Sequence, residues 1–113
     1  MPFINTKVTN EITKEKEAVL KAELGKAIAL IGKGEAYLML GFEDNCRLWL
    51  GGKNDTDMAF VEVSLLGHTT KDKAEKLTAA ICEIFERELG IQGDKVYVKY
   101  SETDLWGYNS FMF

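Results

Sequence analysis

The stretch Phe3-Ile4-Asn5-Thr6-Lys7-Val8 has a counterpart 57 positions later in Phe60-Val61-Glu62-Val63-Ser64-Leu65. Each stretch is rich in residues that suit β-strands. The next motif repeats at the same offset, because Thr13-Lys14-Glu15-Lys16 is matched by Thr70-Lys71-Asp72-Lys73. Similarity at a fixed offset indicates that one supersecondary unit is used twice. The sequence therefore predicts two pseudo-repeats, at about 2–50 and about 58–105, within a single domain over residues 1–113.

A helix is predicted after the first strand of each unit, over about 13–31 and about 70–89, because apolar residues recur there at helical spacing. The expected buried stripes are Leu20, Leu24, Ala27, Ile28 and Ile31 in the first helix and Leu77, Ile81, Ile84 and Phe85 in the second. Residues that favour helix ends flank both runs. They are the N-cap candidates Thr13 and Thr70, the acidic first-turn residues Glu15 and Asp72, and the C-cap glycines Gly32 and Gly90.

An apolar run after each helix, at 36–42 and 95–100, predicts the second strand of each unit. Short extra strands are expected at 48–50 and in the tail at 106–113. Because βαβ crossovers are right-handed, both helices should lie on one face of a four-stranded mixed sheet. The strands are mostly apolar on both sides, as in sheets that are buried on both faces. We therefore expect an α+β fold whose second sheet face is covered by another subunit.

Length and charge exclude several classes of protein. The 113 residues suit one domain, and a net charge of −4 argues against nucleic acid or a membrane surface as the main partner. The chain start lacks the apolar run of a signal peptide, and no stretch has the ~18 apolar residues of a membrane span. Cys46 and Cys82 are expected to be reduced core thiols. A cytoplasmic protein is the expectation, with export by an unconventional route left open.

The motifs that carry a family resemblance are spread over the whole chain. They are Pro2-Phe3, Gly32-Lys33, Tyr37, Leu48-Trp49-Leu50-Gly51-Gly52, Leu66-Gly67, Asp94-Lys95-Val96-Tyr97 and Gly107-Tyr108-Asn109-Ser110. In this order and spacing, residues 2–113 resemble the macrophage migration inhibitory factor and D-dopachrome tautomerase family. The resemblance implies a tandem βαβ fold that assembles as a homotrimer, with three sheets lining a central barrel and the helices outside.

The resemblance also implies an activity, the keto–enol tautomerisation of a small α-keto acid or its enol, with phenylpyruvate as the model substrate. Such an isomerase needs no cofactor and no metal. Its base would be the amine of Pro2, exposed by removal of Met1. An α-amino group is mostly protonated at neutral pH, and a proline amine is more basic still. Burial and a nearby cation must therefore lower its pKa before it can act as a base. A Met-Pro start without the resemblance does not indicate that the proline is catalytic.

The other implied site residues bind the substrate. Lys33 would hold its acidic end and help keep Pro2 neutral, and the backbone of Leu66 would contact it. Tyr97 and Lys99 would come from the neighbouring subunit, with Lys99 standing where the vertebrate factor has asparagine. The tail would supply an aromatic wall of Trp106, Tyr108, Phe111 and Phe113, with Tyr108 as the first choice for contact with the substrate, and Tyr37 is a further substrate-binding candidate. Without the resemblance, these residues are equally explained by helix-end charge, solvation and packing at an interface.

Two other functions remain open at this point. One is a cytokine-like or signalling protein that binds a receptor and carries a vestigial tautomerase site. The CxxC of the vertebrate factor is replaced here by Asp57-Met58-Ala59-Phe60, so thiol–disulfide exchange is not expected. The other is a ferredoxin-like ligand-binding module, because that fold also contains two βαβ-type units. His68, the single histidine, is expected to be a loop residue rather than a metal ligand.

Overall fold

Four strands and two helices form the core of the α+β unit that the repeat predicts. The computed structural model describes all 113 residues. In chain order the elements are β1 (Pro2–Val8), α1 (Lys14–Ala27), β2 (Met39–Glu43), β3 (Ala59–Leu66), α2 (Lys71–Leu89) and β4 (Val96–Thr103), followed by a short tail hairpin of β5 (Gly107–Tyr108) and β6 (Phe111–Met112). The last turn of the first helix is a 3₁₀ turn, Ile28–Ile31, so the helical segment ends where the sequence predicts.

The sheet has the strand order β2-β1-β3-β4 and is mixed, as predicted. β1 is parallel to β2 and antiparallel to β3, and β3 is parallel to β4. The beginnings of β1 and β2 therefore lie at the same end of the sheet as the carboxyl ends of β3 and β4. We call this end the proline end, because Pro2 is paired there with Leu65.

The predicted helix signals have the expected geometry. The hydroxyls of Thr13 and Thr70 accept hydrogen bonds from backbone N–H groups three residues later, each at 3.2 Å. Gly32 and Gly90 end the two helical segments in left-handed conformations, with φ values of 76° and 68°. A side chain at either glycine would be strained, so the sequence determines where each helix stops.

The core lies between the helices and one face of the sheet. Alternate residues of β1 and β3 point into it, and the two predicted helix stripes supply the opposite wall. All the predicted stripe residues are buried except Ala27, which is half-buried at the edge of the cluster. No helix is long and apolar enough to cross a membrane.

Two predictions about strands are wrong in part, whereas the short extra strands predicted in the tail are present. The run at 36–42 begins as a 3₁₀ turn, Glu35–Tyr37, and becomes a strand only at Met39. Residues 48–50 form no strand, because their only ladder contact is an isolated bridge between Leu50 and Lys53 across a glycine turn. The tail at 106–113 forms a hairpin that pairs with itself rather than with the main sheet.

The expectation that the strands are apolar on both sides is also wrong. The sheet face away from the helices, here called the open face, mixes aromatic side chains such as Phe3 and Phe60 with polar ones such as Asn5, Glu62 and Lys99. No helix covers this face, so its polar groups keep access to water. The two cysteines are unpaired, as predicted, and both are partly buried; Cys82 packs against the core, whereas Cys46 does not.

Candidate functional site

The amino end of β1 is enclosed by the sheet. Pro2 is buried and pairs with Leu65 in the antiparallel β1–β3 ladder. The ladder continues one residue further, since the Leu66 N–H donates to the Met1 carbonyl at 3.2 Å. The peptide nitrogen of Pro2 is therefore held beside the carboxyl end of β3. Removing Met1 would expose a secondary amine at this position.

Lys33 lies beside the same point. It follows the left-handed Gly32, which turns the chain off the end of the first helix and back toward the sheet. The Lys33 ammonium donates to the Leu66 carbonyl at 3.0 Å, and its side chain is half-buried. Leu66 thus contacts Met1 through its N–H and Lys33 through its carbonyl. The structure brings together Pro2, Lys33 and Leu66, the three residues that the sequence places at the base.

The electrostatics of this corner disfavour positive charge on the chain terminus. Burial lowers the pKa of the Met1 amine below its ordinary value, and the nearby Lys33 ammonium lowers this pKa further. Both effects destabilise the protonated amine relative to the neutral one. The surroundings that an N-terminal base needs are therefore present at the start of β1.

Three of the aromatic residues that are predicted to bind the substrate also meet at the proline end. The Tyr37 and Tyr108 rings are edge-to-face with centroids 5.7 Å apart, and Tyr108 and Phe113 are 6.0 Å apart. The tail hairpin makes this possible, because the Phe113 N–H donates to the Trp106 carbonyl at 2.9 Å and folds the chain end back. Phe111 takes no part in these two ring pairs and is 71% exposed.

Tyr97 and Lys99 do not reach this corner within one chain. Tyr97 pairs with Phe60, five residues from Leu65 along β3, which corresponds to ~16 Å along the strand. Both side chains are exposed on the open face. Tyr97 also lines an apolar cleft of about 290 Å³ with Trp49 and Phe60. One subunit alone therefore presents a site without these two predicted residues.

Sequence reasoning missed two features of the proline end. The first is the Leu66 N–H bond to Met1, which depends on the β1–β3 register. The second is a pair of carboxylates around His68, with Glu102 at 3.6 Å and Asp104 at 3.3 Å. His68 lies in the loop after β3, and the parallel β3–β4 pairing brings the two acids to it. No group of three or more His, Cys, Asp or Glu side chains is placed to hold a metal ion.

Comparisons with known proteins concern the family and the fold of the chain. The profile of the family described as macrophage migration inhibitory factor (MIF) matches residues 1–110. The solved structure of MIF2 from Leishmania major is 30% identical, with a TM-score of 0.92, and the match covers 100% of this chain and 97% of that one. The macrophage migration inhibitory factor-like protein of Entamoeba histolytica is 26% identical, with a TM-score of 0.88 and coverage of 99% and 98%.

A more distant structure shares the fold alone. It is Pt0534 inactivated by 2-oxo-3-pentynoate, which is 18% identical, with a TM-score of 0.79 and coverage of 89% of this chain and 85% of that one. Comparison with curated protein sequences gives no match.

Proposed function

The chain belongs to the macrophage migration inhibitory factor family, and on that premise we propose that it is a keto–enol tautomerase whose base is the Pro2 amine. One observation carries the proposal. The start of β1 is buried beside the Lys33 ammonium, which is held on the Leu66 carbonyl at 3.0 Å. Such a corner favours a neutral amine next to a cation that can bind a carboxylate.

The proposed reaction moves one proton within the substrate. The neutral Pro2 amine takes the proton from the hydroxyl of the enol, and the electron pair of that O–H bond stays on oxygen. The enolate oxygen then re-forms the ketone carbonyl. The carbon next to that carbonyl, on the side away from the carboxylate, takes the proton from the protonated amine. Lys33 holds the substrate carboxylate, and Tyr37, Tyr108 and Phe113 pack against its ring. Nothing is consumed besides the enol, so no cofactor is required.

Two further parts of the proposal concern assembly. We propose a homotrimer in which the neighbouring subunit brings Tyr97 and Lys99 to the proline end. Support comes from the large apolar side chains that a single chain leaves exposed at both ends of the sheet. These are Tyr37, Met39, Tyr108, Phe111, Met112 and Phe113 around the proline end and Trp49 and Tyr97 around the other. Burying such surface is the main favourable term in association.

Phenylpyruvate ketonisation tests the base directly. The protein with a free Pro2 amine, verified by intact mass, is compared with Pro2→Gly, which also begins with a small residue and exposes a primary amine. We expect kcat/KM to fall at least ~100-fold in Pro2→Gly, the usual size of a general-base contribution. Equal rates would remove Pro2 from the mechanism. Wild-type protein without turnover would favour the receptor-binding role instead.

An electrophilic α-keto acid provides a test that does not depend on turnover. An amine adds to the triple bond of 2-oxo-3-pentynoate, so the Pro2 nitrogen should acquire the mass of one inhibitor molecule. Peptide mapping should place the adduct on the N-terminal peptide, and blocking the amine with an acyl group should prevent it. Modification of lysine side chains alone would contradict the proposal.

A further inference from the structure

We propose that Glu62 compensates the charge of Lys99, so that the part of the site that Lys99 reaches takes an uncharged group and rejects a second carboxylate. The substrate class is then an α-keto acid whose only charged group is the carboxylate that Lys33 holds. The inference rests on the proposed tautomerase function, because it concerns a residue that a neighbouring subunit brings to that site. It adds Glu62 to the residues that determine specificity.

Glu62 and Lys99 are direct partners across the sheet. They are matched in the parallel β3–β4 register, and both side chains belong to the open face. Adjacent strands are ~4.8 Å apart, so the two side chains start within reach of each other. Because their pairing is part of the sheet, Glu62 accompanies Lys99 wherever the open face meets a neighbour. A site that receives this lysine therefore also receives a carboxylate.

The other polar side chains next to Glu62 face other partners. Asn5 is opposite Glu62 on the β1 side, but its amide is turned toward β2. The Asn5 Nδ2 donates to Glu43 at 2.8 Å, and its Oδ1 lies over Gly41, where an added Cβ would be only 2.6 Å from it. Lys7, the other cation of the open face, has Glu43 directly opposite. Lys99 is therefore the only cation directly opposite Glu62.

The charges of Glu62 and Lys99 are uncompensated by contacts in the isolated chain. Lys99 is exposed, Glu62 is half-buried, and neither takes part in an ion pair. Water screens such charges, and an exposed pair contributes little to stability. A neighbouring subunit on the open face excludes that water and strengthens the attraction between the two charges. In the assembled site the pair then acts as a neutral unit with a donor and an acceptor.

A neutral pair selects substrates by their charge. An uncharged ring end meets no net charge there, and Tyr97, two residues before Lys99 on the same face, offers it an apolar surface. A second carboxylate would be attracted by Lys99 and repelled by the adjacent Glu62, and it would also lose its water. Repulsion of this kind is a common way to exclude a competing ligand. The site should therefore discriminate against α-keto diacids.

The test compares phenylpyruvate with 4-carboxyphenylpyruvate, which differs only by a carboxylate at the far end of the ring. Wild type, Glu62→Gln, Lys99→Gln and the double variant are assayed, each with a free Pro2 amine verified by intact mass. We expect Glu62→Gln to raise kcat/KM for the diacid, relative to that for phenylpyruvate, at least ~10-fold, because the Lys99 charge is then uncompensated. The ratio should fall below the wild-type value in Lys99→Gln and return close to it in the double variant.

Glu43→Gln is the matched control, because it removes an exposed carboxylate of the same face and should leave the ratio unchanged. An equal ratio in wild type and Glu62→Gln would overturn the inference and leave the tautomerase proposal intact. A double variant that prefers the diacid as much as Glu62→Gln does would also overturn it, since the Lys99 charge would then have no part in the effect.

A second readout does not require turnover. Calorimetry with 3-phenylpropanoate and 3-(4-carboxyphenyl)propanoate, neither of which can tautomerise, should give the same order of diacid preference among the variants. That order of binding, found together with a wild type that does not turn over phenylpyruvate, would support the inference and contradict the catalytic proposal. A wild type that binds neither ligand would contradict both.

Discussion

At the scale of single residues, Lys33 connects the fold to the proposed chemistry. Gly32 ends the first helix in a left-handed turn with φ 76°, and this turn sends Lys33 toward the start of β1. Its ammonium is tied to the Leu66 carbonyl, so the charge has a defined position rather than a solvated one. Burial, and then this ammonium, lower the pKa of the Met1 amine below its ordinary value.

Replacing Lys33 should move the pH dependence of catalysis. In the proposed mechanism the neutral Pro2 amine is the base, so kcat/KM should fall as the pH drops below the pKa of that amine. Lys33→Gln removes a cause of the lowered pKa, so the acidic limb of the profile should shift to higher pH. KM for phenylpyruvate should rise as well. Lys26→Gln, an exposed lysine in the last turn of α1, is the matched control and should leave the limb in place.

Thr6 provides a test of the core that is independent of the site. Its side chain is fully buried in the middle of β1, and its hydroxyl has no hydrogen-bond partner. Burying an unpaired hydroxyl costs about 1–3 kcal/mol, and valine has nearly the same shape. Thr6→Val should therefore raise the free energy of unfolding by about 1 kcal/mol in urea titrations. Thr6→Ser keeps the hydroxyl and loses a methyl group, so it should be less stable than wild type.

At the scale of elements, polar contacts orient α2 on the rest of the fold. On the sheet side, the Tyr100 hydroxyl donates to the Ala74 carbonyl and accepts from Thr78, both at 2.9 Å, and its burial raises the pKa of Tyr100. On the helix side, Glu88 contacts Lys16 of α1 at 3.2 Å and Arg87 at 3.0 Å. The position of α2 thus depends on more than its apolar stripe.

Glu88 should make stability depend on pH. Hydrogen bonds from Arg87, and then from Lys16, lower its pKa below the ordinary value of 4.5. A carboxylate with a lowered folded-state pKa stabilises the protein above its unfolded-state pKa and loses that effect as the pH falls through the folded value. Glu88→Gln should therefore melt at a lower temperature than wild type at pH 7, and the difference should close below pH 4.5.

The control for Glu88 lies two residues away on the same helix. Glu86 is exposed and forms no ion pair, so Glu86→Gln should change the melting temperature little at either pH. A melting difference for Glu88→Gln that persists at pH 3 would show that lost packing, rather than the carboxylate charge, accounts for it.

At the scale of the whole molecule, the two ends of the sheet are chemically different. The proline end holds Pro2, Lys33 and an exposed aromatic cluster, whereas on the open face Tyr97 lies near the other end of β4 and Lys99 at its middle. A site that needs all of them must join opposite ends of two chains. Contacts of this head-to-tail kind close into rings, and a trimer is the smallest ring above a dimer.

Mixed trimers test whether the site is shared. Pro2→Gly and Tyr97→Ala should each be nearly inactive, because each lacks one half of every site. When the two are unfolded together and refolded as a mixture, about a quarter of the sites should combine an intact Pro2 with an intact Tyr97 from a neighbour. Phenylpyruvate turnover should recover to about a quarter of the wild-type rate per site. As a separate check of the trimer, light scattering should give a mass three times that of the 12.7 kDa chain. A mixture no more active than its components would contradict a shared site.

Much of the fold could be predicted from local pattern. The strand patterns of β1 and β3, the helix stripes and the threonine and glycine caps each depend on residues within a few positions of one another. The strand at 48–50 was predicted wrongly, because an apolar triplet becomes a strand only when a neighbouring strand is available, and the single chain offers residues 48–50 none. The strand predicted at 36–42 starts too early, because Tyr37 belongs to a 3₁₀ turn that precedes the sheet.

The sequence by itself determined the two helices with their buried faces and ends, and the approximate positions of the four main strands, because periodicity and capping act locally. Only the tertiary structure decided that the Lys33 ammonium lies on the Leu66 carbonyl, that the Leu66 N–H is held by Met1, and that Tyr97 is ~16 Å along the sheet from the base. These relations depend on strand order and register. Both are set by how distant segments share one core, and no single stretch of the chain encodes them.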